Sequence, residues 1–114
     1  MMENYAEWSD FEKLDIRVGT IISAEDFPKA KNPAYQLRID FGNMGVKKSS
    51  AQITSLYSKE DLVGQQIIAV VNFPPKQIAN FISECLVLGI YGENKKDVTL
   101  LSPSSPVKDG LKIG

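Results

Sequence analysis

Tyr35-Gln36-Leu37-Arg38-Ile39-Asp40-Phe41 alternates apolar and polar side chains without a break. Successive side chains of an extended chain point to opposite faces, so this period of two predicts a strand burying Tyr35, Leu37, Ile39 and Phe41. Upstream, Leu14, Ile16, Val18 and Ile22 stand at even positions with Asp15, Arg17 and Gly19 between them. That pattern predicts a first half-buried strand with the even residues inward. The two strands are joined by Glu25 to Pro33, where prolines and clustered charge mark a loop.

Downstream of the turn Gly42-Asn43-Met44-Gly45, Val46 to Ile53 resumes an extended pattern. Its Lys47-Lys48-Ser49-Ser50 makes it polar, as expected of an edge or site-bearing strand. Gln66 to Phe73 is rich in β-branched residues and reads as a central strand that stops at Pro74-Pro75, which lack ladder amides. Lys76 to Phe81 reads as a short connection, Cys85 to Tyr91 as a buried strand and Val98 to Leu101 as another. After the turn-rich Pro103-Ser104-Ser105-Pro106, the segment Val107 to Gly114 is expected to dock as a final edge strand through Leu111 and Ile113.

Two capping boxes predict single helical turns, one from about Asp10 to Lys13 behind Ser9 and Glu12, the other behind Ser58 and Asp61 with a stop at Gly64. The connections are too short for successive βαβ crossovers, so the chain is expected to be mainly all-β, a small barrel. Its 114 residues fit one domain, 1–114.

Hydrophobic residues make up 43% and charged residues 24%, the composition of a packed soluble domain. Thirteen Lys and Arg against fourteen Asp and Glu leave a net charge of −1, so any nucleic-acid binding has to come from a local patch. Histidine is absent, which removes the side chain best suited to proton transfer near neutrality and the commonest metal ligand. Asp15, Asp40 and Glu84 lie in separate segments with no paired arrangement, and Cys85 sits in an apolar run without a neighbouring cation. These observations predict a binding protein that is not an enzyme, with no metal and no cofactor. A lone cysteine points to a reduced, cytoplasmic chain. Met1-Met2-Glu3-Asn4-Tyr5 lacks a basic and apolar leader, and the longest apolar run, Ile67 to Val71, is far short of the ~20 residues of a membrane span. No membrane insertion is expected.

Leu14-Asp15-Ile16-Arg17-Val18-Gly19, followed by Ile21-Ile22, Ala24-Glu25 and Pro28, resembles the opening motif of the tRNA-binding OB-fold family. Ser49 to Thr54, Val70 to Lys76 and Ser83 to Gly89 resemble further blocks of that family in the same order. The resemblance runs from about Asp10 to Gly114. It implies a five-stranded OB barrel with short helices and terminal extensions, and a homodimer built partly by the terminal segments. It also implies two kinds of ligand: tRNA for the family at large, and unfolded or precursor polypeptides for its free-standing, secretion-associated chaperone branch. The chain is most similar to that branch, so an export-related chaperone is the leading expectation and a structure-specific tRNA-binding protein the alternative. Asn80 and Ile82 stand where the family carries a glycine and a basic residue, and Leu86 replaces a methionine. The first change removes a candidate phosphate contact, while Leu86 retains apolar volume.

The ligand-binding candidates follow from these blocks. Arg17 is read either as a contact to phosphate or peptide carbonyl or as a structural partner of Asp15 or Asp40. Lys47, Lys48, Ser49 and Ser50 supply charges and hydroxyls suited to gripping a backbone without reading bases, with a solvated face as the plainer alternative. Asn72, Lys76, Ser83 and Glu84 fall in the ligand-associated blocks, although an amide such as Asn72 can instead satisfy loop amides. Phe81 and Ile82 are expected exposed and adhesive, with Leu86 beside them, whereas Tyr35, Phe41, Tyr57, Phe73 and Tyr91 are expected mostly in the core. On the tRNA reading the phosphate contacts are Arg17, Lys47, Lys48 and Lys76. The dimer interface is expected at Trp8, Phe11, Leu111 and Ile113.

Overall fold

In the computed structural model, which describes residues 4–114, the alternating stretch forms β2 (Tyr35–Asp40), with Leu37, Ile39 and the following Phe41 fully buried. Met1-Met2-Glu3, the head of the stretch read as lacking a leader, lie outside the described residues. β2 pairs along its length with β3 (Val46–Ala51) and with the second half of β1 (Ile16–Asp26). The first half of β1 pairs with β4 (Gln66–Val70), and β4 with β7 (Leu86–Val87). The result is one antiparallel five-stranded sheet in the order β3-β2-β1-β4-β7. It coils into a nearly closed barrel of the expected OB type. A hairpin of β5 (Lys76–Ile78) and β6 (Phe81–Ser83) fills the connection between β4 and β7, and β8 (Gly89–Tyr91) pairs with β9 (Val98–Leu100) beyond it.

β1 departs from the simple alternation. Gly19 and Ile21, at odd positions, face the core, where a Cβ on Gly19 would stand 2.7 Å from side-chain atoms of Ile39 and Phe41. Ile16 and Val18 are buried on the opposite side of the sheet, and Ile22 is exposed next to a register shift between Ile21 and Ser23. This strand is covered on both faces over its first half, so apolar residues occur at both parities and a single inward set does not exist.

The C-terminal segment docks on the free edge of β1, as expected. Val18 N–H donates to Leu111 O at 3.1 Å, Ile113 N–H to Ile16 O at 2.8 Å and Gly110 N–H to Val18 O at 2.8 Å. Thr20 Oγ1 donates to Asp109 Oδ1 at 2.6 Å, and Gln66 Nε2 donates to Val107 O at 2.7 Å. Arg17 joins this structural set, donating through Nε to Asp15 Oδ1 at 2.6 Å and through a terminal nitrogen to Gly110 O at 3.0 Å. The ion pair with Asp15, named in one of its two readings, is present.

Several boundaries shift. The first helix, α1, spans Trp8–Glu12 with Glu7 at its N-cap, not Ser9, and Glu7 N–H donates to Asp10 Oδ2 at 2.8 Å. The second, α2 (Lys59–Leu62), has the expected box, in which Ser58 Oγ accepts from Asp61 N–H at 3.2 Å and Asp61 Oδ2 accepts from Ser58 N–H at 3.1 Å. β4 ends at Val70, short of the expected Phe73, because the chain leaves the ladder for Pro74-Pro75 and Asn72 bonds elsewhere. The Asn72 amide accepts from Asp15 N–H at 2.9 Å and donates to Lys13 O at 2.7 Å, which ties the α1–β1 connection to the end of β4. Phe73 is thereby left on the surface. The expected connection from Lys76 to Phe81 is instead part of the β5–β6 hairpin, and the expected buried strand from Cys85 to Tyr91 breaks into β7 and β8 with Leu86, Ile90 and Tyr91 exposed.

The barrel closes between β3 and the Ser83-Glu84-Cys85 segment, largely through side chains. Glu84 N–H donates to Lys48 O at 2.7 Å, and Glu84 Oε1 accepts from Lys48 N–H at 2.9 Å. Ser83 Oγ accepts from Ser50 N–H at 3.2 Å, while Ser49 Oγ donates to Cys85 O at 3.0 Å. A carboxylate and a hydroxyl thus stand where carbonyls of a neighbouring strand would satisfy the β3 amides.

Two predictions follow from this seam. Glu84→Ala leaves the Lys48 amide without its acceptor and should cost about 1–3 kcal/mol in urea unfolding, whereas Glu84→Gln keeps an acceptor oxygen and should cost clearly less. Equal losses for the two variants would refute closure through that oxygen. Burial pushes the Cys85 thiol from the ordinary 9.0 up to about 11. Between those values the unfolded chain has released this proton and the folded chain still holds it, so stability should fall as pH rises from 9 to 11. The contribution is at most about 2–3 kcal/mol. Unfolding free energies of the parent and Cys85→Ala should diverge in slope over that window, and parallel curves would contradict it.

Candidate ligand-binding face and self-association face

The β1–β2 loop opens with buried Phe27, whose ring packs on Phe81 of β6 with centroids 5.5 Å apart. Lys48 Nζ lies 5.2 Å from the Phe81 centroid. Arg38 is the direct cross-strand partner of Lys48, so both side chains stand on the outer side of the β2–β3 ladder, opposite Leu37 and Ser49. Lys76 pairs across the hairpin with Ser83, which itself bonds to Ser50 of β3. Lys29 and Lys31 lie in the loop that Phe27 begins. Among the described residues, none of Lys29, Lys31, Arg38, Lys48 and Lys76 forms an ion pair. A chain of net charge −1 thus places two cations, Lys48 and its cross-strand partner Arg38, beside the Phe27–Phe81 pair, with Lys76 on the adjoining hairpin.

Apolar side chains are also exposed before and within the hairpin. Phe73 is 45% exposed before Pro74-Pro75, and Ile82 is 39% exposed on the outer side of the hairpin. Phe81, expected to be free and adhesive, is only partly exposed because Phe27 and Lys48 cover it. The outer surface of strands 2 and 3 and the loops beside it are where OB barrels hold extended chains.

The structure gathers Lys48, Ser50, Lys76, Phe81, Ile82, Ser83 and Glu84 here and separates the other candidates. Alternation turns Lys47 and Ser49 to the far side of β3, and Ser49 is 1% exposed with its hydroxyl engaged by Cys85 O, which leaves no surface for a ligand. Arg17 and Asn72 are engaged at the other end of β1 and β4. Leu86, 48% exposed, pairs with Val70, which pairs with Ile16. These three share the outer side of the sheet with Ile113, placed there by the Arg17–Lys112 bridge. Sequence reasoning missed Phe27, Lys29, Lys31 and Arg38. Arg38 was already at an outward position of the alternating strand, but only the register sets it beside Lys48.

The terminal candidates form a second surface. Trp8, 69% exposed, packs on Phe11 with ring centroids 5.4 Å apart. Both line a cleft of about 380 Å³ with Leu14 and Ile113. Leu111 lines a neighbouring cavity of about 180 Å³ with Arg17, Phe41 and Met44. Trp8, Phe11, Leu111, Ile113 and the stray Leu86 thus flank the docked C-terminal segment and the sheet side it extends.

The Cys85 thiol is buried and held protonated well above neutrality. Among the described residues no group of three or more Cys, Asp or Glu side chains is placed to hold a metal ion, and no helix is long and apolar enough to cross a membrane.

Comparison with known proteins converges on one family. The family model described as "Putative tRNA binding domain" matches residues 16–112. The chain is 34% identical over 109 residues to methionine–tRNA ligase of Thermococcus onnurineus, covering 96% of the chain but 14% of that enzyme, so it spans about one seventh of such relatives. Among solved structures it is similar to the chaperone CsaA of Bacillus anthracis, with 54% identity, a TM-score of 0.92 and coverage of 97% of this chain and 100% of that one. It is also similar to the CsaA chaperone protein of Picrophilus torridus, with 53% identity, a TM-score of 0.90 and coverage of 96% and 100%. An OB-type barrel with a basic outer face, matched by that model from the start of β1 to the docked C-terminal segment, makes this chain a member of the tRNA-binding domain family.

Proposed function

We propose that this chain is a non-catalytic, export-related chaperone that works in the cytoplasm as a homodimer and holds unfolded or precursor polypeptides across its basic and apolar face. The observation that carries the reading is the exposure of Phe73, just before the β5–β6 hairpin, and of Ile82 within it, the hairpin being fixed to the barrel by Phe27 and Ser83. An extended client offers apolar side chains at alternate positions and carbonyls between them. Phe73 and Ile82 suit the first, and Lys48, Lys76 and Arg38 suit the second. The face is open, which suits segments that share extension but not sequence. Similarity to the CsaA chaperones over nearly the whole chain supports the same reading.

Magnitudes explain the need for two subunits. Burying an exposed Phe or Ile fully is worth about 1.5–3 kcal/mol, and ordering a flexible client offsets part of that. One face therefore holds weakly. Two faces on one particle make the second contact intramolecular and raise avidity without new chemistry. The cleft between Trp8, Phe11 and Ile113, with Leu111 and Leu86 beside it, is the surface we assign to self-association.

A second reading, structure-specific binding of tRNA, is favoured by the unpaired Lys29, Lys31, Arg38, Lys48 and Lys76 around a stacking pair.

Diluting a denatured precursor polypeptide into the protein should slow its aggregation and give saturable binding. The double variant Phe73→Ser/Ile82→Ser should bind at least tenfold more weakly with an unchanged urea midpoint, and light scattering with mass measurement should find a dimer. A parent protein without effect on aggregation, or a monomeric mass at micromolar concentration, would falsify the reading.

A further inference from the structure

The C-terminal segment reaches β1 with no strand leading into it, since the chain from Ser102 to Asp109 belongs to no ladder. A side-chain clip fixes its approach, at the end of the β1–β4 ladder where Thr20 and Gln66 are direct partners. The Gln66 amide stands in for a peptide group: Oε1 accepts from Val107 N–H at 3.0 Å and Nε2 donates to Val107 O at 2.7 Å. Nε2 also donates at 3.0 Å to Asp109 Oδ1, the oxygen that accepts from Thr20 Oγ1 at 2.6 Å. The turn that follows is closely fitted, because a Cβ on Gly110, at φ +92°, would stand 2.5 Å from Phe41 O.

Beyond the clip the segment carries the apolar side chains of the association surface. The Arg17–Lys112 bridge sets Leu111 opposite Val18 and Ile113 opposite Ile16, yet Leu111 stays 50% exposed. Ile113 lines the cleft with Trp8 and Phe11, and so do Glu12 and Lys112, one charge of each sign. Among the described residues neither charge is in an ion pair. Twofold pairing matches every contact of residue i on j with one of j on i, so each Glu12 can face the other subunit's Lys112. A second copy of this chain is the occupant that such a self-complementary surface fits.

We propose that the Thr20–Gln66–Asp109 clip governs self-association by holding the C-terminal segment in the docked state that a second copy recognises. The proposal rests on the homodimer reading above and adds its positioning residues. None of the three lines the cleft, and Thr20 lies four residues from Ile16, roughly 14 Å along β1. With the clip broken, three backbone bonds alone hold the segment, and its docked fraction falls. Both subunits have to be docked for a pair to form, so the apparent dissociation constant rises as the inverse square of that fraction. A docked fraction of about one third weakens pairing about ninefold.

The test is sedimentation of the full chain over a concentration series, with amide hydrogen exchange read in dilute solution where the protein is monomeric. Gln66→Ala and Asp109→Ala should raise the dimer Kd at least about ninefold and strip protection from the Gly110 and Ile113 amides, while the amides of β2 keep theirs. Asp109→Asn keeps an acceptor oxygen for Thr20 and Gln66 and should recover most of the affinity. If either alanine variant also loses β2 protection, Thr20→Val, which removes one of the two donors to Asp109, carries the test with the same readings. A dimer Kd that breaking the clip leaves at the parent value, or one that rises while Gly110 and Ile113 stay protected, overturns the clip and leaves the homodimer reading standing. A parent chain that is monomeric throughout the series overturns the homodimer reading, and this inference with it.

Discussion

Two β3 amides that receive no strand carbonyl govern the rest of the structure. The Lys48 and Ser50 N–H groups face the gap where the barrel must close, and Glu84 Oε1 and Ser83 Oγ fill it. Because closure is made by side chains just after the β5–β6 hairpin, the hairpin is held against the outer edge of β3 and is not free to swing. That placement lets Phe81 reach Phe27 and brings Lys48 over its ring. The face exists because the seam does.

The same seam explains what the sequence could and could not disclose. β2 was legible because it is buried on one side only, so its alternation maps directly onto Leu37, Ile39 and Phe41. Five short antiparallel strands and the docking of the C-terminal segment were legible for similar reasons. β1 was not, since Ile16 and Val18 are buried on one side and Gly19 and Ile21 on the other. Ser83 and Glu84 close the barrel, yet a polar pair that closes a barrel looks in one dimension like a polar pair awaiting a ligand. Lys47-Lys48-Ser49-Ser50 reads as a polar cluster, but the pleat sends Lys48 and Ser50 outward and Ser49 into the core. Arg38 and Phe27 join the face through register and through a loop, neither of which local pattern specifies.

Leu86 illustrates how the two surfaces are divided. Its sequence neighbours Ser83 and Glu84 belong to the seam beside the basic face, but its ladder partner is Val70, whose partner is Ile16. Its side chain is on the outer side of the sheet, as those of Arg38 and Lys48 are, but on the β4–β7 part of it, toward Ile113 and the cleft lined by Trp8 and Phe11. The apolar volume retained there therefore serves the side of the barrel away from Arg38 and Lys48. The two candidate surfaces therefore lie on different parts of the barrel.

The composition of the candidate basic and apolar face bears on specificity. Long-range steering is weak at a net charge of −1, so a ligand has to be captured by contacts made within the strip itself. Those contacts are few and mixed: lysines whose flexible stems can follow either a phosphate or a carbonyl, and Phe73 and Ile82, which accept any apolar group. On the proposed polypeptide-holding reading, such a face would read extension and not sequence. On that reading, affinity for a chain would be set by how many faces it can engage at once.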